Sequence, residues 1–341
     1  MTTLTIREKL EQRELNILSD IATKSVNSKG RKIKEEQSDT RTDFQRDRDR
    51  ILHSKAFRRL KHKTQVFLSP FDDHFRTRLT HTLEVSQIAR TIARALDLNE
   101  DLVEAISLGH DLGHTPFGHC GESVLNELVE GGFHHNIQSV RVVEVLEKLN
   151  LCKETIDGIR THTWGYKPTT PEGKVVQLAD KIAYINHDIE DSIRAGVISE
   201  SDLPKDCIEY FSSNQSRRLN KMITEIVKNS LGKSDIAMSE EAWGYTTKLR
   251  EWMFVNVYND ESIAKLEERK ARRVIKELFC LYCDMLKPTC PQDRIVRVVT
   301  DYISGMTDRY AVERFKENFI PMGLKCSARD DNLFKLANSP D

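Results

Sequence analysis

The chain has 341 residues, of which 38% are hydrophobic and 31% charged, with 52 lysines and arginines against 53 aspartates and glutamates. That length supports a large buried core, and near neutrality counts against a dedicated binder of nucleic acid or acidic membranes. No apolar run is long enough to span a bilayer, the charged opening MTTLTIREKLEQRELNILSD lacks the apolar middle of a secretory signal, and seven scattered cysteines frame no disulfide scaffold; a cytoplasmic, reduced protein is expected.

Residues 1 to about 45 are polar, and SVNSKGRKIKEEQSD has no periodicity, which predicts a charged, partly mobile N-terminal arm over 1–45. Arg46, Arg48, Arg50, Arg58, Arg59, Lys61 and Lys63 crowd the next stretch, either as a solvated helix face or as a basic wall for a polyanionic small ligand. From Asp49 the period is helical. After His81, Val85, Ile88, Ala89, Ile92 and Leu96 recur at amphipathic spacing. Asn99 can cap a following helix that has Glu100 and Asp101 in its first turn and buries Leu102, Val103 and Ile106. His110 lies four residues beyond Ile106, so His81 and His110 both point inward. Another helix from about Asn136 carries Val140, Val143, Leu146 and Leu149; Gly165 to Gly173 reads as a loop because two prolines and two glycines interrupt it; KVVQLADKIAYINHDIEDSI returns to helix. From Ser201 onward SRRLNKMITEIVKN and SIAKLEERKARRVIKELFCLYCDML are helical, and no alternating strands or internal repeats occur. The expected fold is all-α: a helical bundle core over 46–200 with a helical C-terminal region, 201–341, packed on it.

The segment LGHDLGHTPFGHCGE, from Leu108 to Glu122, gathers His110, His114 and His119 with Asp111 and Glu122. His81, His110, Asp111 and Asp180 all fall on helices whose apolar faces turn inward, where a carboxylate needs a cation or several donors to stay ionised. One divalent metal satisfies all four, and the mixed imidazole and carboxylate set suits Mn, Fe, Co, Ni or Zn with open positions for water and a substrate oxygen. Asp180, Tyr184 and Asp188 form an i, i+4, i+8 column flanked by Lys181. Cys280, Cys283 and Cys290 give an incomplete zinc spacing, and Cys120 is read as a packing residue.

His81 in RTRLTHTLEVSQ, the His110-Asp111 pair in HDLGHTPFGHCGE and Asp180 in VVQLADKIAYINHDIED stand in the order found in HD-domain phosphohydrolases. The chain resembles that family, and within it the deoxynucleoside triphosphate triphosphohydrolases often called dGTPases, from about Thr42 to Gly196. The resemblance implies an HD-domain helical bundle with additional C-terminal helices. It implies hydrolysis of a deoxynucleoside triphosphate at the α-phosphorus to a deoxynucleoside and inorganic triphosphate. It implies one divalent ion (Mn, Mg, Fe, Co, Ni or Zn), with further Mg accompanying the nucleotide. His119 is then catalytic, with Glu122 three residues on to hold its imidazole in one tautomer. His135 helps protonate the leaving 5′ oxygen or stabilise charge, and His114 reaches toward the phosphates. Arg78 and Lys181 bind phosphate, Gln65 and Asp188 bind the 3′-hydroxyl, and Tyr184 packs on deoxyribose where a 2′-hydroxyl would project. Related enzymes form homo-oligomers, often hexamers, and some take a nucleotide or single-stranded DNA as activator. Two alternatives stay open: an HD phosphohydrolase of a deoxynucleoside monophosphate or an alarmone, and a nucleic-acid-binding protein with a vestigial site. His134 is read as locally structural; His53, His62, His74, His162 and His187 receive no role.

Overall fold

The computed structural model describes residues 4–65, 74–258 and 263–321. Among the described residues every regular element is helical, and pairing between extended segments is limited to two isolated bridges, Arg31 with Cys152 and Thr64 with Thr77. The all-α expectation holds. Three helices lead in: α1 (Ile6–Ile17), α2 (Asp43–His53) and α3 (Lys55–Arg59). The central set is α4 (Arg78–Ala95), α5 (Glu100–Gly109), α6 (Gly118–Leu128), α7 (His135–Arg141), α8 (Lys153–Thr161) and α9 (Pro171–Arg194). The C-terminal region follows with α10 (Lys205–Phe211), α11 (Gln215–Ser230), α12 (Glu240–Met253), α13 (Ile263–Leu286), α14 (Gln292–Ser304) and α15 (Asp308–Phe319).

Local chemistry accounts for the starts of the central helices. Thr77 opens α4 by accepting from Thr80 N, and Asn99 opens α5 by accepting from both Asp101 N and Leu102 N. The apolar stripe of α4 (Val85, Ile88, Ala89, Ile92) is inaccessible to solvent, as are Leu102, Val103 and Ile106 of α5. Helix α9 begins inside the stretch read as loop: Thr170 accepts from Gly173 N and Pro171 takes the first turn, so Pro171 to Gly173 are helical. Proline is at home there because a first-turn N–H has no helical partner to lose. The helix read from Asn136 to Leu149 is also shorter. After α7 the chain makes a π-helical turn, Val142–Leu146, and Lys148 and Asn150 then take positive φ, which ends the helix before Leu149.

The mobile-arm reading is revised. Ala22 is buried in the main core with Leu18 and Ile21 packed beside it, and α1 is closed by a full capping box at Thr5 and Glu8. Buried carboxylates of the bundle hold the rest of the arm: Glu172 accepts from Thr23 N at 2.9 Å and Thr23 Oγ1 at 2.7 Å, while Asp47 takes the guanidinium of Arg31. The basic-wall reading of the arginine run is revised too. Arg41 pairs with Asp49, Arg46 and Arg50 with Glu35, Arg48 with Asp101, and Arg59 with Glu147, whereas Lys63 is buried. Among the described residues most of the run is thus taken up by carboxylates, while Arg58 and Lys61 stay exposed.

Three apolar clusters form the interior. The largest joins α4, α5 and α9 to Met222 and Ile226 of α11 and Ala242 and Leu249 of α12. A second packs Phe117 and Val124, Leu125 of α6 against Ile275, Leu278 and Tyr282 of α13, Val299 and Ile303 of α14, and Ala311 of α15. The third holds Ile51, Leu60, Leu108, Val143 and Ile159. Where α5 crosses α8 the contact is reciprocal. A Cβ on Gly109 would lie 2.5 Å from Ile159 Cδ1, and one on Gly158 would lie 2.4 Å from Ile106 Cδ1 and 2.8 Å from Ile106 Cγ2. Each glycine therefore admits the other helix's isoleucine, which brings the end of α5, at His110, beside the end of α8, at His162. Substituting Gly158→Ala should force these helices apart and cost about 1–3 kcal/mol, as overpacked cores do, read as a lowered urea midpoint at unchanged m-value.

Candidate metal centre

Three helices bring the polar cluster together. His81 lies on the buried face of α4, His110 closes α5 with Asp111 directly after it, and Asp180 sits midway along α9. His81 Nε2 is 3.2 Å from Asp180 Oδ1, and His110 Nε2 is 3.6 Å from Asp111 Oδ1 and 3.8 Å from Asp180 Oδ1. The side chains of His81, His110 and Asp180 each offer one ligand atom within 4.8 Å of the others, a His/Asp cluster that could hold a metal ion.

The test of fit is His110. Its Nδ1 faces Ser107 O at 2.7 Å, a contact only an N–H can make, so in the neutral ring Nε2 carries a lone pair. That Nε2 is buried, has no hydrogen-bond partner and faces carboxylate oxygens. Two electron-rich groups turned toward each other inside a protein call for a cation between them. The carboxylates are poised to match. Burial works against ionising Asp180, but the His81 hydrogen bond outweighs it and holds its carboxyl well below the usual range. Burial likewise opposes ionised Asp111, and the Arg78 guanidinium works against that burial to keep it charged. His187 backs the cluster, its Nδ1 being 3.3 Å from His81 Nδ1.

Asp111 is shared. Its Oδ2 takes Arg78 Nη1 at 2.6 Å, and Arg78 Nη2 reaches Gln65 O at 3.5 Å. The guanidinium expected on a substrate phosphate is thus engaged as the counterion of the His-Asp pair. Gln65 is buried with Oε1 unpartnered.

Glu122, on α6, meets a different histidine from the one its spacing suggests. Its carboxylate accepts from His135 N at 2.8 Å and lies 2.9 Å from His135 Nδ1, while His119 Nδ1 is 3.7 Å away. His119 stands at the mouth, its side chain 77% exposed. His135 stacks on His114 with ring centroids 4.4 Å apart, and its Nε2 faces His162 Nε2 at 3.2 Å. Burial opposes a charged His135 imidazole, but Glu122 raises its pKa above the ordinary value. Burial lowers His162 to about 3, so beside His135 it is the neutral partner. His162, given no role by the sequence, is one wall of this cluster: its ring is 4.9 Å from that of His110. No local pattern marks it, because its place depends on the α5–α8 crossing.

On α9, beside Asp180, the ammonium of Lys181 lies 4.0 Å over the ring of Trp164 and 5.5 Å from that of Trp243. Burial, with Lys174 nearby, lowers this lysine to about 8. Tyr184 lies one turn further along, mostly buried and with its pKa raised by that burial, and Asp188 is buried two turns from Asp180. Of the cysteines, Cys120 is half-buried with its thiol against Glu268 O and pushed up to about 12 by burial. Cys280 is exposed and Cys290 buried, and among the described residues no cysteine enters a metal-ready group.

Residues 78–185 match the family described as HD domain, and residues 236–317 match the one described as Phosphohydrolase-associated domain. A deoxyguanosinetriphosphate triphosphohydrolase-like protein of Caldanaerobacter subterraneus subsp. tengcongensis is 56% identical over 328 residues, covering 93% of this chain and 96% of the relative. One of the same name from Clostridium tetani is 47% identical over 341 residues, covering 93% and 97%. Among solved structures, that of a hypothetical protein from Aquifex aeolicus superposes at a TM-score of 0.44 with 21% identity over 80% of this chain and 71% of that one, too loosely to bear on any reading. No helix among the described residues is long and apolar enough to cross a membrane.

Replacing Asp180 by Asn should weaken divalent-ion binding by more than the ~10–100-fold typical of losing a supporting residue. Elemental analysis of the dialysed protein checks this, with circular dichroism expected to keep the helical signal of the parent.

Proposed function

The chain belongs to the deoxyguanosinetriphosphate triphosphohydrolase-like family of HD-domain phosphohydrolases, and on that premise we propose that it is a metal-dependent hydrolase of deoxynucleoside triphosphates. In this reading the bond between the α-phosphorus and the 5′ oxygen breaks, water supplies hydroxide to the phosphorus, and the products are a deoxynucleoside and inorganic triphosphate. The observation that carries it is the juxtaposition of a cation-ready His81, His110, Asp180 group with a carboxylate-backed histidine, His135, and a lysine held on aromatic rings, Lys181.

His81, His110, Asp111 and Asp180 would hold the divalent ion, which when bound supplies Lewis acidity toward a phosphoryl oxygen and a more acidic water. The protein's own groups handle protons and charge. Glu122 fixes His135 Nδ1 as a donor, so the proton of the charged ring sits on Nε2, placed to pass to the leaving 5′ oxygen. His162 Nε2 is the neutral acceptor on which that proton rests when no substrate is present. His119, at the mouth, is the second acid–base group, and His114, pinned under His135, shapes the floor. Lys181 leaves its aromatic cushion for the polyphosphate, and its charge offsets that of the transition state. Tyr184 occupies the place of a 2′-hydroxyl, which excludes ribose by crowding, while Gln65 and Asp188 take the 3′-hydroxyl.

Purified protein given each dNTP with Mn or Mg should release intact tripolyphosphate, detected by ion chromatography. Pyrophosphate or orthophosphate as the primary product would instead indicate a different phosphohydrolase. His119→Ala should cut turnover by ~10²–10⁴-fold, the usual share of an acid–base group, while retaining the parent's metal content.

A further inference from the structure

Two backbone stretches that carry proposed site residues run side by side: Lys63–Gln65, leading into Gln65, and Phe117–His119, leading into His119. They have no slack between them. A Cβ on Gly118 would lie 3.1 Å from Gln65 O, 3.3 Å from Arg78 Nη2 and 3.5 Å from Thr64 O. Phe117 takes φ of 63°, a left-handed conformation unfavourable for a non-glycine residue and one that surrounding contacts must hold in place.

Both stretches are tied to the C-terminal helices, and one carboxylate makes the tie. Thr64 N donates to Asp308 Oδ2 at 2.9 Å, and Phe117 N donates to Asp308 Oδ1 at 2.9 Å. Asp308 is the first residue of α15, whose cap, Thr307, accepts from Tyr310 N. Next to it Lys63, fully buried, donates to His114 O and, at 2.7 Å, to Ser304 O of α14. The Phe117 ring lies in the same apolar cluster as α13, α14 and α15.

We propose that Asp308 is a positioning residue for the hydrolytic site, setting the Gln65 stretch in register with the left-handed turn that aims His119. The alternative, a purely structural anchor, has its own example in the same region. Asp301 of α14 accepts from Arg141 and from Gln138 Nε2 at 2.8 Å, joining α14 to α7 without touching either stretch. The two carboxylates separate the roles. An asparagine at 308 keeps the size but offers one acceptor oxygen, and its NH₂ opposes whichever N–H remains, so the shared tie cannot survive.

The kinetic arm of the test rests on the hydrolase reading above; the exchange arm does not. Asp308→Asn and Asp301→Asn are compared with the parent well below their unfolding midpoints, per folded chain, for kcat, KM and bound metal. Asp308→Asn should keep the metal but lose between about tenfold and hundredfold in kcat, the scale of a displaced catalytic group, while Asp301→Asn keeps the parent's kcat and loses only stability. Parent-like kcat in Asp308→Asn, or an equal loss in Asp301→Asn, overturns the proposal. In the parent protein, hydrogen exchange resolved by residue should show the Thr64 and Phe117 amides protected to a similar degree; fast exchange at either overturns it, even if Asp308→Asn does not fold. A parent that hydrolyses no deoxynucleotide would defeat the functional reading and leave the exchange arm to judge this one.

Discussion

A lone pair buried against negative charge is the constraint around which the centre of this protein is arranged. His110 gives its Nδ1 proton to the carbonyl of Ser107 and turns a bare Nε2 toward Asp111 and Asp180. Among the described residues no hydrogen-bond partner answers that nitrogen. The neighbouring groups follow from the need to hold anionic oxygens in a dry place: Arg78 on Asp111, His81 on Asp180, and His187 behind His81. Unpaired, such a cluster would be among the most costly features of the fold; with a divalent ion it becomes the fold's organising site.

The second consequence is architectural. The ion-ready side chains come from α4, α5 and α9, whose apolar faces share the largest core. His119 and Glu122 come from α6, which buries its apolar face with α13, α14 and α15. His119 and Glu122 and the cation-ready side chains are therefore carried by different cores and meet at a seam, where Glu122 crosses to His135 and Lys63 spans from His114 to Ser304. The C-terminal third, which carries no chemistry-bearing motif, supports half of the site.

Much of this was legible in the sequence. Helices α4 and α5 follow from apolar spacing and, for α5, from the Asn99 cap, and the density of histidine and carboxylate around His110 points to an ion before any coordinates are known. What escaped is non-local. The i+3 spacing from His119 to Glu122 is real, but His135, thirteen residues away, competes for the same carboxylate and comes closer. His162 becomes a site residue only because Gly109 and Gly158 let two helices touch. The N-terminal arm lacks the apolar periodicity by which helices reveal that they are docked; it is held by backbone and hydroxyl donors on Glu172 and by Arg31 on Asp47, which a reading built on hydrophobic pattern does not register.

The placement of α6 also bears on what counts as a unit of folding. The segment matching the HD domain ends at residue 185, yet the partners of Phe117, Val124, Leu125 and Phe133 lie beyond residue 270. Excised at the boundaries of its own signature, the segment would present that apolar strip to water and lose the acceptor that steadies Phe117. The reach of a family signature and the reach of an apolar core are thus separate properties here, and the core that covers α6 extends well past the segment that matches the HD domain.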